Sequence, residues 1–190
     1  LGSFGSVTTV SYPKDKALNY RELESIARNS LPKDKPFMLL GESFSGPIAL
    51  SIAANPPPGL IGLVLSATFA KNPVALLKPF SAMTRFAPVR AVPVSVLSWF
   101  LLGRWASPKL KAALRSALGS VTPDVLRTRA AESLLVDVTA CLKTISVPVL
   151  YLRASEERLI FPVSGNRISS AMPHSTYINI PGPHLLLQAA

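Results

Sequence analysis

The sequence is poor in the residues that build disulfides and metal sites. It holds one cysteine, Cys141, and two histidines, His174 and His184. A single thiol excludes an intrachain disulfide, and these residues are too few and too scattered for a zinc site. No zinc site is therefore expected. Cys141 reads as a small buried apolar residue, and the lack of disulfides points to a reducing, cytoplasmic setting. Long apolar runs are missing as well. The longest, residues 91–103, is interrupted by Pro93 and is too short to span a bilayer, so it reads as a buried or interfacial segment. The first residues carry no signal-peptide pattern and no initiator methionine, and we expect the chain to be a piece of a longer protein.

Acidic residues are scarce too. Ten Asp and Glu stand against 20 Lys and Arg, a net charge of +10. The imbalance is concentrated in residues 70–139, where ten cations meet only Asp124, Glu132 and Asp137. Such a field attracts an anionic substrate or an anionic membrane surface, while a plainly solvated basic face is the alternative. Nucleic acid is not expected as a partner, because neither a reading motif nor an aromatic-interleaved basic strip accompanies the charge.

What the chain has is apolar content, 48% of its residues, enough for a folded core at this length. Eighteen prolines place firm stops between short elements. Residues 7–11 (VTTVS) are rich in branched side chains and predict a strand. Residues 18–30 predict a helix. Asn19 and Glu22 have the spacing of a capping box, Leu18 and Leu23 that of a hydrophobic staple, and Tyr20, Leu23, Ile26 and Ala27 form the inward stripe. Residues 37–40 (FMLL) and 60–67 (LIGLVLSA) predict strands buried on both faces. Between them lies an apolar helix with Ile48, Ala49, Ile52 and Ala53 on its inner side, stopped by residues 55–59 (NPPPG).

Ser107 and Thr122, each followed by proline, predict two helix starts, with Gly119 closing the first. Residues 147–152 predict a strand, 163–172 a helix and 176–180 another strand. Doubly apolar strands separated by helices imply a parallel sheet covered on both sides. Residues 70–139 interrupt that alternation and read as an insertion above it. The expected division is a core of residues 1–69 and 140–190, with a helical cap at 70–139.

The turn Gly41-Glu42-Ser43-Phe44-Ser45-Gly46 joins an apolar strand to an apolar helix, the setting of a nucleophile elbow. Such a turn is tight, so the residues flanking the serine must be small. Gly41 and Ser45 are small, although the usual pattern has glycine where Ser45 stands. The turn exposes the Ser43 hydroxyl at the carboxyl edge of the sheet and presents the Phe44 N–H, at a helix start, to a developing oxyanion.

On these residues the chain resembles the α/β-hydrolase family, and the resemblance extends along its length. Family order is serine, acid, histidine. Here Ser43 is followed by Glu156-Glu157 after the strand VPVLYL, then by His184 after the strand TYINI. Glu157-Arg158-Leu159-Ile160, with Pro162 beyond, matches the family's acid loop, in which aspartate is commoner. Glu156 is the alternative acid, and His174 precedes its strand and reads as a turn residue.

The resemblance implies a mostly parallel sheet flanked by helices, a partial hydrolase core with an inserted helical cap. It also implies a Ser43–Glu157–His184 triad that cleaves a carboxylic ester or related acyl bond through an acyl-enzyme, without a cofactor. The family's loop with a second oxyanion donor has no counterpart before Ser43, which keeps a non-catalytic binding module open. Acyl transfer to an alcohol would use the same triad. A helical cap often covers the pocket in this family. Trp99, Phe100 and Trp105 would then wall a pocket for a hydrophobic small-molecule acyl substrate, or serve only to pack the cap on the core.

Overall fold

The computed structural model of the chain describes residues 5–189. Helix α1 (Tyr20–Asn29) opens on the anticipated capping box: the Asn19 side chain accepts from the Glu22 N–H at 3.0 Å, and Glu22 Oε2 accepts from the Asn19 N–H at 2.8 Å. Two amide donors at the helix start are thereby satisfied within one turn. Asn19→Ala should cost about 1 kcal/mol, measured as the shift of a urea unfolding midpoint.

Four strands follow, β1 (Phe37–Glu42), β2 (Leu60–Ser66), β3 (Val149–Ala154) and β4 (Thr176–Ile180). They form one sheet in the order β1-β2-β3-β4, every pair parallel. Parallel strands need crossovers. Helix α2 (Gly46–Ala54) connects β1 to β2, and a later helix, residues 162–171, connects β3 to β4.

Between β2 and β3 the chain leaves the sheet for the inserted segment. It holds a run of 3₁₀ turns (Ala75–Phe86), helix α3 (Val94–Leu101), a 3₁₀ turn (Gly103–Trp105), helix α4 (Pro108–Gly119), helix α5 (Pro123–Leu135) and further 3₁₀ turns at Thr139–Thr144. The two ends of the excursion are tied together by an antiparallel bridge between Lys71 and Asp137. The Asn72 N–H donates to Val136 O at 2.9 Å, and the Val138 N–H to Ala70 O at 2.8 Å. The architecture is thus a partial α/β-hydrolase core carrying inserted cap helices. Ser107 and Thr122 cap α4 and α5 as their sequence predicts. Gly119 instead ends α4 from within, and Ser120 is the capping residue. Helix α6 (Pro162–Ala171) follows β3, and the short α7 (Leu186–Ala189) follows β4. Among the described residues no helix is long and apolar enough to cross a membrane.

The main core lies on one face of the sheet. Leu63, Leu65, Val149 and Tyr151 point there and pack against Ala49, Leu50 and Ala53 of α2, Ile168 of α6 and Leu142. A second cluster, Leu23, Ala27, Ile48 and Ile52, seats α1 on the outside of α2. This explains why α2 is apolar on all sides: it is sandwiched.

Two expectations change. Strand register places Leu40, Val64 and Leu150 on one face, with Met38 and Ile178 on that same side. There Met38 is 62% and Ile178 42% exposed, so the sheet is not covered equally on both sides. Doubly apolar sequence marks a strand of a parallel sheet, but it does not supply a helix for each face. Residues 7–11 also form no strand. They pair with no neighbour among the described residues, and Val10 and Tyr12 pack on the α1–α2 cluster instead. Branched residues favour extended backbone, but a strand requires a ladder partner.

Candidate active site

The carboxyl ends of β1, β3 and β4 deliver three side chains to one place. At the end of β1 the backbone turns sharply, and Ser43 takes φ 49°, a left-handed conformation that a non-glycine residue adopts only under constraint. The constraints are visible. A side chain at Gly41 would meet Ala49 Cβ at 2.7 Å, and one at Gly46 would collide with the Thr68 hydroxyl. Thr68 Oγ1 donates to Ser43 O at 2.6 Å. Ser45 is no mere tolerated variant. Its Oγ donates to Glu42 O at 2.8 Å and accepts from the Glu42 N–H at 2.9 Å, closing the turn with a side chain. Its φ of −81° needs no glycine. Gly46→Ala should therefore destabilise the protein by about 1–3 kcal/mol through overpacking against Thr68, measured by chemical denaturation.

His184 follows β4 and is 1% exposed. Its Nε2 lies 2.7 Å from Ser43 Oγ, and its Nδ1 lies 2.7 Å from Glu157 Oε2. Glu157 sits in the loop after β3. Its other oxygen, Oε1, accepts from the N–H groups of Leu159 at 2.7 Å and Ile160 at 3.1 Å. Burial pushes the Glu157 carboxyl up. The hydrogen bond and charge of His184, with the two amide donors, outweigh burial and leave the carboxyl below its usual 4.5. It is thus an anion held by three donors.

The other expected residues lie as follows. Glu156 points elsewhere: Arg104 pairs with its Oε1 at 2.6 Å and the Trp105 indole N–H lies 3.4 Å from the same atom. His174 is exposed beside β4, among residues 142–149 and 171–175 lining a groove remote from Ser43. Cys141 is half-buried, and burial raises its thiol pKa. Phe44 stacks on Tyr20 at 4.7 Å, and the Tyr20 hydroxyl donates to Phe44 O at 3.1 Å, which anchors the Phe44–Ser45 peptide. Trp99 and Phe100 are exposed on α3 in an edge-to-face pair at 4.8 Å, and Trp105 is half-buried.

Two residues of the site carry no sequence signal. Thr68 holds the elbow from the segment just after β2, and the Tyr151 hydroxyl in turn donates to Thr68 O at 2.8 Å. Glu42, next to the serine, accepts from the Leu187 N–H at 3.2 Å and the Gln188 side chain at 2.7 Å, tying the elbow to the segment just after His184.

No family model and no curated protein sequence matches the chain. Solved structures do. A hydrolase from Pseudomonas aeruginosa aligns with a TM-score of 0.75 at 20% identity, covering 92% of this chain and 68% of that one. The enol-lactonase from Burkholderia xenovorans aligns at 0.74 and 16% identity, covering 89% and 67%. A thermophilic esterase from Thermogutta terrifontis aligns at 0.72 and 20% identity, covering 88% and 66%. The chain spans about two thirds of the length of these structures. At such identities the likeness concerns architecture, and that architecture is the α/β-hydrolase fold.

Proposed function

We propose that the protein is a serine hydrolase that cleaves a carboxylic ester or related acyl bond, with Ser43 as nucleophile, His184 as general base and acid, and Glu157 as the group that orients the imidazole. The observation that carries this reading is the imidazole of His184, buried and 2.7 Å from both the Ser43 hydroxyl oxygen and a Glu157 carboxylate oxygen. A merely structural histidine needs no such partners. A hydroxyl on a strained turn, bonded to an imidazole whose far nitrogen meets a carboxylate, is the arrangement that activates an alcohol.

The steps follow from these contacts. Ser43 Oγ attacks the carbonyl carbon while its proton passes to His184 Nε2. The tetrahedral oxyanion accepts from the Phe44 N–H, whose position the Tyr20 stack holds. His184 returns the proton to the departing alkoxide, leaving an acyl-serine. Water then attacks the acyl carbon, His184 again takes a proton, and the second collapse frees the acid and restores Ser43. Glu157, held as an anion, fixes the tautomer with its proton on Nδ1 and stabilises the imidazolium between steps.

In this reading residues 70–139 act as the cap, with Trp99, Phe100 and Trp105 proposed as the apolar residues that favour acyl groups of low polarity. Hydrolysis of p-nitrophenyl esters of increasing chain length tests both parts. Activity should rise beyond acetate and vanish in Ser43→Ala. Activity retained in Ser43→Ala would refute the nucleophile, and an optimum at acetate would refute the apolar wall.

A further inference from the structure

The loops that carry Glu157 and His184 are both fastened to one stretch of the inserted segment, residues 99–105. In the acid loop, the residues on either side of Glu157 reach that stretch. Glu156 takes Arg104 at 2.6 Å and the Trp105 indole at 3.4 Å. The Arg158 guanidinium lies over the Trp99 ring at 4.8 Å and donates to Trp99 O at 3.2 Å. In the histidine loop, the N–H of Leu185 donates to Leu101 O at 3.0 Å. The two loops are joined directly as well, by the Glu156 N–H donating to Gly182 O at 3.0 Å. Contacts thus run in a closed circuit from the insertion to the acid loop, on to the histidine loop and back.

Gly103 belongs to the same arrangement. Its φ is +53°, and a side chain there would meet the Arg158 guanidinium at 3.0 Å. A glycine allows both the turn and the close approach of backbone to Arg158.

The members of this circuit are unequal. Arg104 is 73% exposed, and an ion pair so open to solvent contributes little by itself. Arg158 combines a stacked face with a hydrogen bond, which its planar fork permits and lysine would reproduce only in part.

We infer that residues 99–105 form a clamp that sets the separation of Glu157 and His184, with Arg158 and Glu156 as its positioning residues. The inference rests on the catalytic reading above for its effect on rate, but the clamp itself is a matter of geometry. Rates are sensitive to such geometry, since a misplacement of ~1 Å can cost on the order of 10²-fold.

The test compares wild type, Arg158→Ala, Arg158→Lys and Glu156→Gln. Three quantities are read: the rate of Ser43 labelling by a fluorophosphonate, kcat and KM for a p-nitrophenyl ester, and amide hydrogen exchange in peptides spanning 155–160 and 181–187. Arg158→Ala should slow labelling and kcat by about tenfold or more, leave KM within about twofold, and accelerate exchange in both peptides. Arg158→Lys should recover part of the loss, and Glu156→Gln should move the same quantities less.

Accelerated exchange with unchanged labelling and kcat would overturn the positioning role. Should wild-type Ser43 not react, the catalytic reading falls and exchange alone decides the clamp. Acceleration in Arg158→Ala then supports it, and unchanged exchange in every variant overturns it.

Discussion

His184→Ala should lower kcat by on the order of 10⁶-fold, the scale seen when a triad acting as one unit loses its base. The imidazole is the only group within hydrogen-bond reach of Ser43 Oγ among the described side chains, and it is also the only one bridging that oxygen to Glu157. Without it, the serine proton has no acceptor and the leaving alkoxide no donor. The loss should not add to that of Ser43→Ala. The double variant should be about as slow as either single one, because each already disables the same proton transfer. Folding should survive in Ser43→Ala, which removes one oxygen, so equal thermal midpoints for wild type and that variant separate chemistry from stability. A His184→Ala enzyme retaining a tenth of wild-type turnover would contradict the assignment.

Glu157→Gln should lower kcat by on the order of 10⁴-fold. Glutamine keeps the shape and can still accept from the Leu159 and Ile160 amides, but it removes the charge facing Nδ1. The imidazolium then loses its counter-charge, and the amide permits the wrong tautomer. Glu156→Gln is the matched control, and it should cost far less because Glu156 faces Arg104 and Trp105 rather than His184.

The same variant changes stability with pH. The folded Glu157 carboxyl lies below its unfolded value of about 4.5, so its ionised form contributes stability fully above that value. That contribution drains away as pH falls from 4.5 through the lowered folded value. Wild type should thus lose stability more steeply on acidification than Glu157→Gln. Urea unfolding midpoints measured between pH 6 and pH 3 would test the sign, and parallel curves would contradict it.

Local features were readable in the sequence because their causes are local. The capping box of Asn19 and Glu22 spans four residues, and the proline-marked starts of α4 and α5 need only Ser107 and Thr122. The elbow was also legible, since an apolar strand, small residues and an apolar helix are contiguous there. Its supports were not. Thr68 and Glu42 act on the elbow across 25 and 145 residues, and no spacing rule reports such distances.

Choosing between adjacent Glu156 and Glu157 likewise depends on which side of the loop each faces. That is fixed by Arg104 and Trp105 from the insertion. Residues 7–11 and the exposed Met38 mark the opposite case. Their composition states a preference for extended or buried surroundings, but only a neighbouring strand or helix can satisfy it.

Reaction of the protein with a fluorophosphonate, followed by proteolysis and mass spectrometry of the peptide containing residues 41–46, addresses the central claim directly. A single phosphonyl adduct on Ser43, absent from His184→Ala, is the expected result. An unmodified Ser43 under conditions that label an active serine esterase, or an adduct on another serine, would contradict it.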